Sequence, residues 1–232
     1  MLTLSIIIPV YNEKATLEKL LAAVEAVKLK NVKKELVIVD DGSNDGTPDV
    51  LKNYESKYRV IYHSKNIGKG AALRTGFAQA TGDFIVIQDA DLEYDPNDYE
   101  KMIKPLTDGR ADVVYGSRFI GSDPHRVLYF WHYLANRLLT TLSNSLTDLN
   151  LTDMETCYKM FSKDALKKIL PALTSDKFGI EPEITAQISK NHLRVYEVGI
   201  SYNGRTYEEG KKINWQDGVA AIWHILKFNL FS

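Results

Sequence analysis

The sequence predicts an α/β domain, a mainly parallel central sheet with helices on both faces, and three observations lead there. Continuous apolar runs such as "TLSIIIPV" (3–10), "ELVIV" (35–39) and "DFIVIQ" (83–88) have the unbroken hydrophobicity of strands covered on both sides. Stretches with apolar residues at helical spacing fall between them. The two kinds alternate through the first half of the chain, the order that feeds a parallel sheet through crossover helices.

The elements follow in order. Strand 3–10 is bounded by Pro9 and Asn12, and Leu17, Leu20, Leu21, Val24 and Val27 then mark a helix. After strand 35–39, Thr47-Pro48 predicts a helix start with Thr as the cap and Pro in the first helical position. "RVIYH" (59–63) is a strand, "GAALRTGFAQA" (70–80) a helix, 83–88 a strand, "PNDYEKMIKPL" (96–106) a helix and "ADVVYGS" (111–117) a strand. The second half is less regular. Residues 125–144 form a long aromatic and apolar stretch with scattered positive charge. Residues 156–162 and 194–202 read as strands, 162–170 and 181–190 as helices, and 215–231 as a closing amphipathic helix. With 232 residues, no internal repeat and no linker composition, one domain over 1–232 is expected.

The net charge of −1 provides no electrostatic footprint for nucleic acid. The single cysteine, Cys157, excludes an internal disulfide and fits a reducing, cytoplasmic setting. No run reaches the roughly 20 apolar residues of a membrane span. The N-terminal stretch lacks the basic region of a signal peptide.

In an open parallel sheet, ligands bind beyond the carboxyl ends of the strands. Four such ends carry polar residues: Pro9 to Glu13; Asp40, Asp41 and Gly42; Asp89, Asp91 and Glu93; and Gly116, Ser117 and Arg118. All four should share one rim. "QDADLE" (88–93) alternates Asp89, Asp91 and Glu93, hard oxygen donors that suit Mg²⁺ or Mn²⁺, ions that complete their shells with water and substrate phosphate. A D-x-D sequence alone is weak, since a solvated acidic loop looks the same; its place on a polar rim strengthens it. "NIGKGAALRTG" (66–76) opens a helix with glycines and Lys69, which fits phosphate binding and equally a glycine turn with a surface lysine. Of the adjacent acids in "VIVDDGSNDG" (37–46), Asp41 is expected to face a nucleoside and Asp40 to brace the following turn.

The motifs "SIIIPVYNE", "VIVDDGSNDGT", "NIGKGAALRTG", "GDFIVIQDADLE" and "VYGSRF", in this order, resemble the family-2 inverting glycosyltransferases of the GT-A fold. "TDMETCYKMF" and the late "GRTYEEGKK" narrow the resemblance to the dolichyl- or polyprenyl-phosphate mannosyl- and glucosyltransferases. It implies that Pro9, Tyr11, Glu13, Val39 and Asp41 hold the nucleoside of a nucleotide-diphosphate sugar, GDP-mannose or UDP-glucose. It implies that Asp89, Ala90, Asp91 and Glu93 bind the metal and diphosphate, that Arg118 faces the acceptor phosphate, and that Arg205 and Lys211 cover the donor diphosphate. Many relatives carry Gln in place of Glu93. Residues 1–120 would form the nucleotide-sugar half and 121–232 the acceptor and membrane half. The acceptor phosphate is already ionised near neutrality, so a base is not required; Asp153 is the candidate if one acts, and a local backbone cap is its plainer role. Glu155 stands where mannosyl enzymes carry the Ser or Thr-Gly pattern, which leans toward glucose or another hexose.

A polyprenyl or dolichyl phosphate acceptor requires a membrane surface. The aromatic faces of 125–144 (Phe130, Trp131, Leu134, Leu138) and 215–231 (Trp215, Ile222, Trp223, Leu226, Phe228), flanked by Arg126, His132, Arg137 and Lys227, suit peripheral helices at the cytosolic face. The same faces suit packing on the sheet or between copies in a homo-oligomer. Arg126 is a second candidate for the acceptor phosphate. Two other functions fit part of the pattern: a transferase of the same fold that extends a polysaccharide or protein glycan, and a silent nucleotide-sugar-binding protein.

Overall fold

In the computed structural model, residues 1–121, 126–127, 129–206, 208 and 215–231 are described, the last segment without the side chains of 215 and 216. Strands β1 (Leu2–Val10), β2 (Val32–Asp40), β3 (Arg59–Tyr62), β4 (Phe84–Ile87), β5 (Val113–Ser117), β6 (Lys159–Ser162) and β7 (Val195–Gly199) form one seven-stranded sheet in the order β3-β2-β1-β4-β6-β5-β7. Every pairing is parallel except those of β6, which runs antiparallel between β4 and β5.

Helices α1 (Leu17–Ala26), α2 (Thr47–Lys52), α3 (Lys69–Gln79), α4 (Tyr99–Thr107), α5 (Phe130–Thr147), α6 (Lys163–Ile169), α7 (Ile180–Lys190) and α8 (Trp215–Leu230) cover both faces. The alternation within β1 divides the core. Leu4, Ile6 and Ile8 join Leu17, Leu20, Leu21, Tyr99 and Met102 on one face, and Ile7 joins Leu73, Phe77, Ile180 and Ile184 on the other. Burial on both sides is why these strands read as continuous apolar runs.

Local differences from the sequence reading have local causes. Gly46, in the left-handed region at φ 88°, precedes α2, so Thr47 is the first helical residue rather than the cap. Its hydroxyl donates to Asp45 (2.6 Å) and accepts from the Glu13 backbone N–H (3.1 Å), which ties the end of β1 to the start of α2. Strand β6 starts at Lys159 rather than 156, because the Lys159 ammonium draws in the carbonyls of Met154 and Thr156 and curls the chain before the strand. Helix α5 runs on to Thr147 and stops at Asp148, left-handed at φ 55°.

Two topological features position the site. From β1 the chain moves outward through β2 to β3, then returns to lay β4 on the other side of β1, so the switch point lies between β1 and β4. Because β6 is antiparallel to its neighbours, the residues just before it lie at the same rim as those just after β4 and β5.

Candidate active site

The acids after β4 and the glutamate after β1 meet across the switch point through Arg205. Its Nη2 lies 3.3 Å from Asp91 Oδ2 and 3.4 Å from Glu13 Oε1. Its backbone N–H donates to Glu93 Oε1 (2.7 Å), and the Tyr202 hydroxyl donates to Glu93 Oε2 (2.8 Å). Burial, then the Asp89 and Glu93 carboxylates, push the Asp91 carboxyl up to about 7 against the pull of Arg205. Among the described residues no group of three His, Cys, Asp or Glu is already gathered around one point, and both oxygens of Glu93 bond to the late segment.

Lys69 also departs from expectation. It opens α3, but its ammonium turns into the rim, 2.8 Å from Asp89 Oδ1, 2.8 Å from Cys157 Sγ and 3.9 Å from Glu181 Oε1. Burial works against its charge, but Asp89, Cys157 and Glu181 outweigh it and hold Lys69 well above the ordinary lysine range. It neutralises Asp89 rather than presenting a cation at the helix N-terminus.

Arg118, after β5, grips Asp153 in a bidentate pair, Nε to Oδ2 and Nη2 to Oδ1, each 2.7 Å. The Arg118 backbone N–H adds a third bond to Oδ2 (3.0 Å). Asp153 is fully enclosed, and Glu197 accepts its backbone N–H (3.1 Å). In this geometry both Asp153 oxygens are engaged in orienting Arg118, the plainer of the two roles the sequence leaves open. Arg118 also lies over the Tyr202 ring (5.4 Å). Arg126 donates from its backbone to Tyr202 O (3.0 Å) and from Nη1 to Gly204 O (3.2 Å). Arg118, Arg126 and Arg205 thus gather around one segment, 202–205, beside the acids.

On the β1–β2 side Asp40 meets the following turn through the Ser43 N–H, as expected, whereas Asp41 differs. Asp41 accepts from Gly68 N (2.7 Å), Ile67 N (3.1 Å) and His63 Nδ1 (2.7 Å), so its buried carboxylate holds the turn before α3 rather than facing outward. Asp40 accepts a long bond from Ser43 N (3.4 Å), and its buried Oδ1 meets no donor among the described residues. Burial, aided by Asp41 and Asp45, raises the Asp40 carboxyl above the usual range. Gly68 sits at φ 127°, where a Cβ would lie 2.4 Å from Asp176 O, so only glycine lets the turn close onto Asp41. Asp41→Ala would leave these buried N–H groups unsatisfied and is expected to cost about 2–4 kcal/mol in thermal or urea melts; an unchanged melt would return Asp41 to a ligand-facing role.

Of the other expected nucleoside residues, Pro9 pairs in register with Val39. Val39 is fully buried, with Cγ2 near Gly76 of α3, so its side chain does not reach the rim. Ala90 is buried in the core beside α4. Tyr11 is partly exposed at the end of β1. Lys211 lies outside the described residues.

The sequence reading passed over the buried pair behind the rim. Lys159 is fully enclosed; it donates to Met154 O (3.1 Å), to Thr156 O and to Glu181 Oε2. A lysine inside the apolar run "YKMF" was the available signal, because an enclosed lysine needs a partner. Tyr202 and Glu197, which hold Glu93 and the 152–153 backbone, carried no such mark.

Comparison with known proteins bears on the family and the fold. The chain is 28% identical over 245 residues to a dolichyl-phosphate beta-glucosyltransferase of Trichomonas vaginalis, covering 98% of this chain and 73% of that one. It is 26% identical over 243 residues to the UDP-N-acetylglucosamine–dolichyl-phosphate N-acetylglucosaminyltransferase of Methanococcus voltae, covering 97% and 95%. Its fold matches glucosyl-3-phosphoglycerate synthase of Mycobacterium tuberculosis, solved with Mn²⁺, uridine diphosphate and glucosyl-3-phosphoglycerate, with a TM-score of 0.73 at 21% identity over 98% of this chain and 80% of that one. That likeness bears out the GT-A expectation for the sheet and its flanking helices. The model of the family described as glycosyl transferase family 2 matches residues 5–170, so this protein is a glycosyltransferase and belongs to that family.

Proposed function

We propose that the protein transfers a hexose from a nucleotide-diphosphate sugar, GDP-mannose or UDP-glucose, to a polyprenyl or dolichyl phosphate with inversion at the anomeric carbon. The observation that carries this reading is the meeting of opposite charges at the switch point: Glu13, Asp89, Asp91 and Glu93 on one side, Arg118, Arg126 and Arg205 on the other. A reaction that joins two phosphate-bearing substrates needs both a cation site and several anion sites. The names of these two relatives favour a dolichyl phosphate acceptor.

Asp89 and Asp91 are hard oxygen donors, and Mg²⁺ or Mn²⁺ is commonly held by one or two carboxylates plus substrate phosphates, so the residues fit such an ion. When bound, it would supply positive charge against the departing diphosphate. Arg205, one short segment away, would cover the same diphosphate. Arg118, fixed by Asp153, and Arg126 would hold the acceptor phosphate so that its oxygen attacks from the face opposite the leaving group. With a second pKa near 6, that phosphate is ionised at neutral pH, which agrees with an Asp153 engaged in positioning.

No helix among the described residues is long and apolar enough to cross a membrane. Trp131 is 73% exposed on α5, and Trp223 is 59% exposed on α8 beside Val219 and Ile222. Such outward aromatic faces, with Arg137 and Lys227 on the same helices, support peripheral contact with a lipid surface, where the acceptor resides. Trp131→Ala/Trp223→Ala is expected to weaken co-sedimentation with anionic vesicles roughly tenfold or more, since each large side chain contributes about 1.5–3 kcal/mol when buried; unchanged binding together with dimer dissociation would assign these faces to self-association.

The function is tested by incubating the protein with Mn²⁺, polyprenyl phosphate and labelled UDP-glucose, GDP-mannose or UDP-N-acetylglucosamine. Organic-extractable label with a β-linked sugar is the expected product. Label found only in a water-soluble glycan would favour glycan extension, and no transfer from any donor would sink the proposal.

A further inference from the structure

Behind the rim, two carboxylates each keep a buried oxygen that meets no donor among the described residues: Glu155 Oε1 and Glu181 Oε1. Glu155 lies in the loop before β6, which the antiparallel direction of that strand brings to the carboxyl ends of β4 and β5. Its cationic neighbours are already engaged. The three ammonium donors of Lys159 go to Met154 O, Thr156 O and Glu181 Oε2. The Nε and Nη2 of Arg118 are directed to Asp153. Burial, then the nearby Glu181, push the Glu155 carboxyl up to about 7 although Lys159 and Arg118 pull the other way. Part of Glu155 remains open to solvent.

An unfilled acceptor at a reaction centre is a request for hydrogen-bond donors, because leaving it dry is costly. The substrates differ in what they offer. Phosphates repel a carboxylate, and a polyprenyl tail has no donors. The nucleoside is expected at the β1–β2 edge, away from the 153–158 loop. Glu155 belongs to no metal-holding group among the described residues. What remains is the ring of hydroxyls on the transferred sugar. We propose that Glu155 accepts a hydrogen bond from a hydroxyl of the donor hexose and is a specificity-determining residue for which sugar is transferred. Lys159 sets its position by pinning the carbonyls on either side of it, at Met154 and Thr156.

The inference rests on the sugar-nucleotide transferase reading, and binding measurements separate the two. Wild type, Glu155→Gln and Glu155→Ala are titrated calorimetrically, with Mn²⁺, against UDP and GDP alone and against UDP-glucose, UDP-N-acetylglucosamine and GDP-mannose. Thermal melts confirm folding, and Glu155→Gln carries the comparison if the alanine variant does not fold. The bare diphosphate should bind all three proteins within about twofold, while the sugar nucleotide should weaken about tenfold or more in Glu155→Ala and by less in Glu155→Gln. Among monodeoxy analogues of the donor sugar, one should bind wild type about tenfold more weakly than its parent, and Glu155→Ala should no longer distinguish the two. Equal weakening of diphosphate and sugar nucleotide, or no change in either, overturns the role of Glu155 alone. Failure of wild type to bind any of these nucleotides overturns the transferase reading and the inference with it.

Discussion

Asp91→Asn is expected to lower sugar transfer by at least about 10³-fold, the several kcal/mol that charge stabilisation by a held cation supplies, while leaving the protein as stable as before. The two outcomes come from one electrostatic balance. Asp91 is crowded by burial and by the carboxylates of Asp89 and Glu93, and the pull of Arg205 at 3.3 Å does not offset them, since the carboxyl is pushed up to about 7. A folded-state pKa above the unfolded value of about 3.9 means that the ionised group opposes folding, increasingly as pH rises through that interval and fully above about 7. The neutral amide removes that opposition, so at pH 8 the variant should melt at or above the wild-type temperature. Adding Mn²⁺ with nucleoside diphosphate should raise the melting temperature of wild type and not of Asp91→Asn. Undiminished activity in the variant would remove Asp91 from the cation site, and a lower melting temperature would show that the bond to Arg205 outweighs the repulsion.

The fold was legible because its signals are local. Strands β1, β2 and β4 are buried on both faces and therefore appear as apolar runs, and the acids that follow them stand out because nothing apolar continues. That places Asp89, Asp91 and Arg118 on one rim from the sequence alone. Strand direction is not local. The run "KMFS" reads the same in either sense, and its antiparallel setting is decided by pairing with β4 and β5 on both sides. That single reversal brings Asp153, Glu155 and Cys157 to the rim. The engagement of Asp41 was likewise hidden. The donors that claim Asp41 lie 22 to 27 residues away, at His63, Ile67 and Gly68, and no pattern within "VIVDDGSNDG" points to them. The pairing of Lys69 is non-local in the same way: its first partner, Asp89, lies 20 residues on.

The second large effect is expected at Asp153. Asp153→Ala leaves the Arg118 guanidinium, only 13% exposed, without its bidentate partner. An uncompensated buried charge costs about 3–5 kcal/mol, which for a domain of this size is a fall of roughly 6–20 °C in melting temperature. Most of that penalty comes from the stranded arginine, so Arg118→Met/Asp153→Leu should melt above the single alanine variant, with a remainder because the Arg118 backbone N–H also loses its acceptor. Asp153→Asn keeps one oxygen for Arg118 and tests the chemistry separately. If Asp153 positions Arg118, this variant should raise the KM for polyprenyl phosphate and leave the shape of the pH profile unchanged, because the ionisation that matters belongs to the acceptor phosphate. A general base at this position would instead show a loss of 10²–10⁴-fold in kcat and the disappearance of the acid limb. A double variant that melts no higher than Asp153→Ala would mean that the stability lies in the loop contacts made through Glu197 rather than in the ion pair.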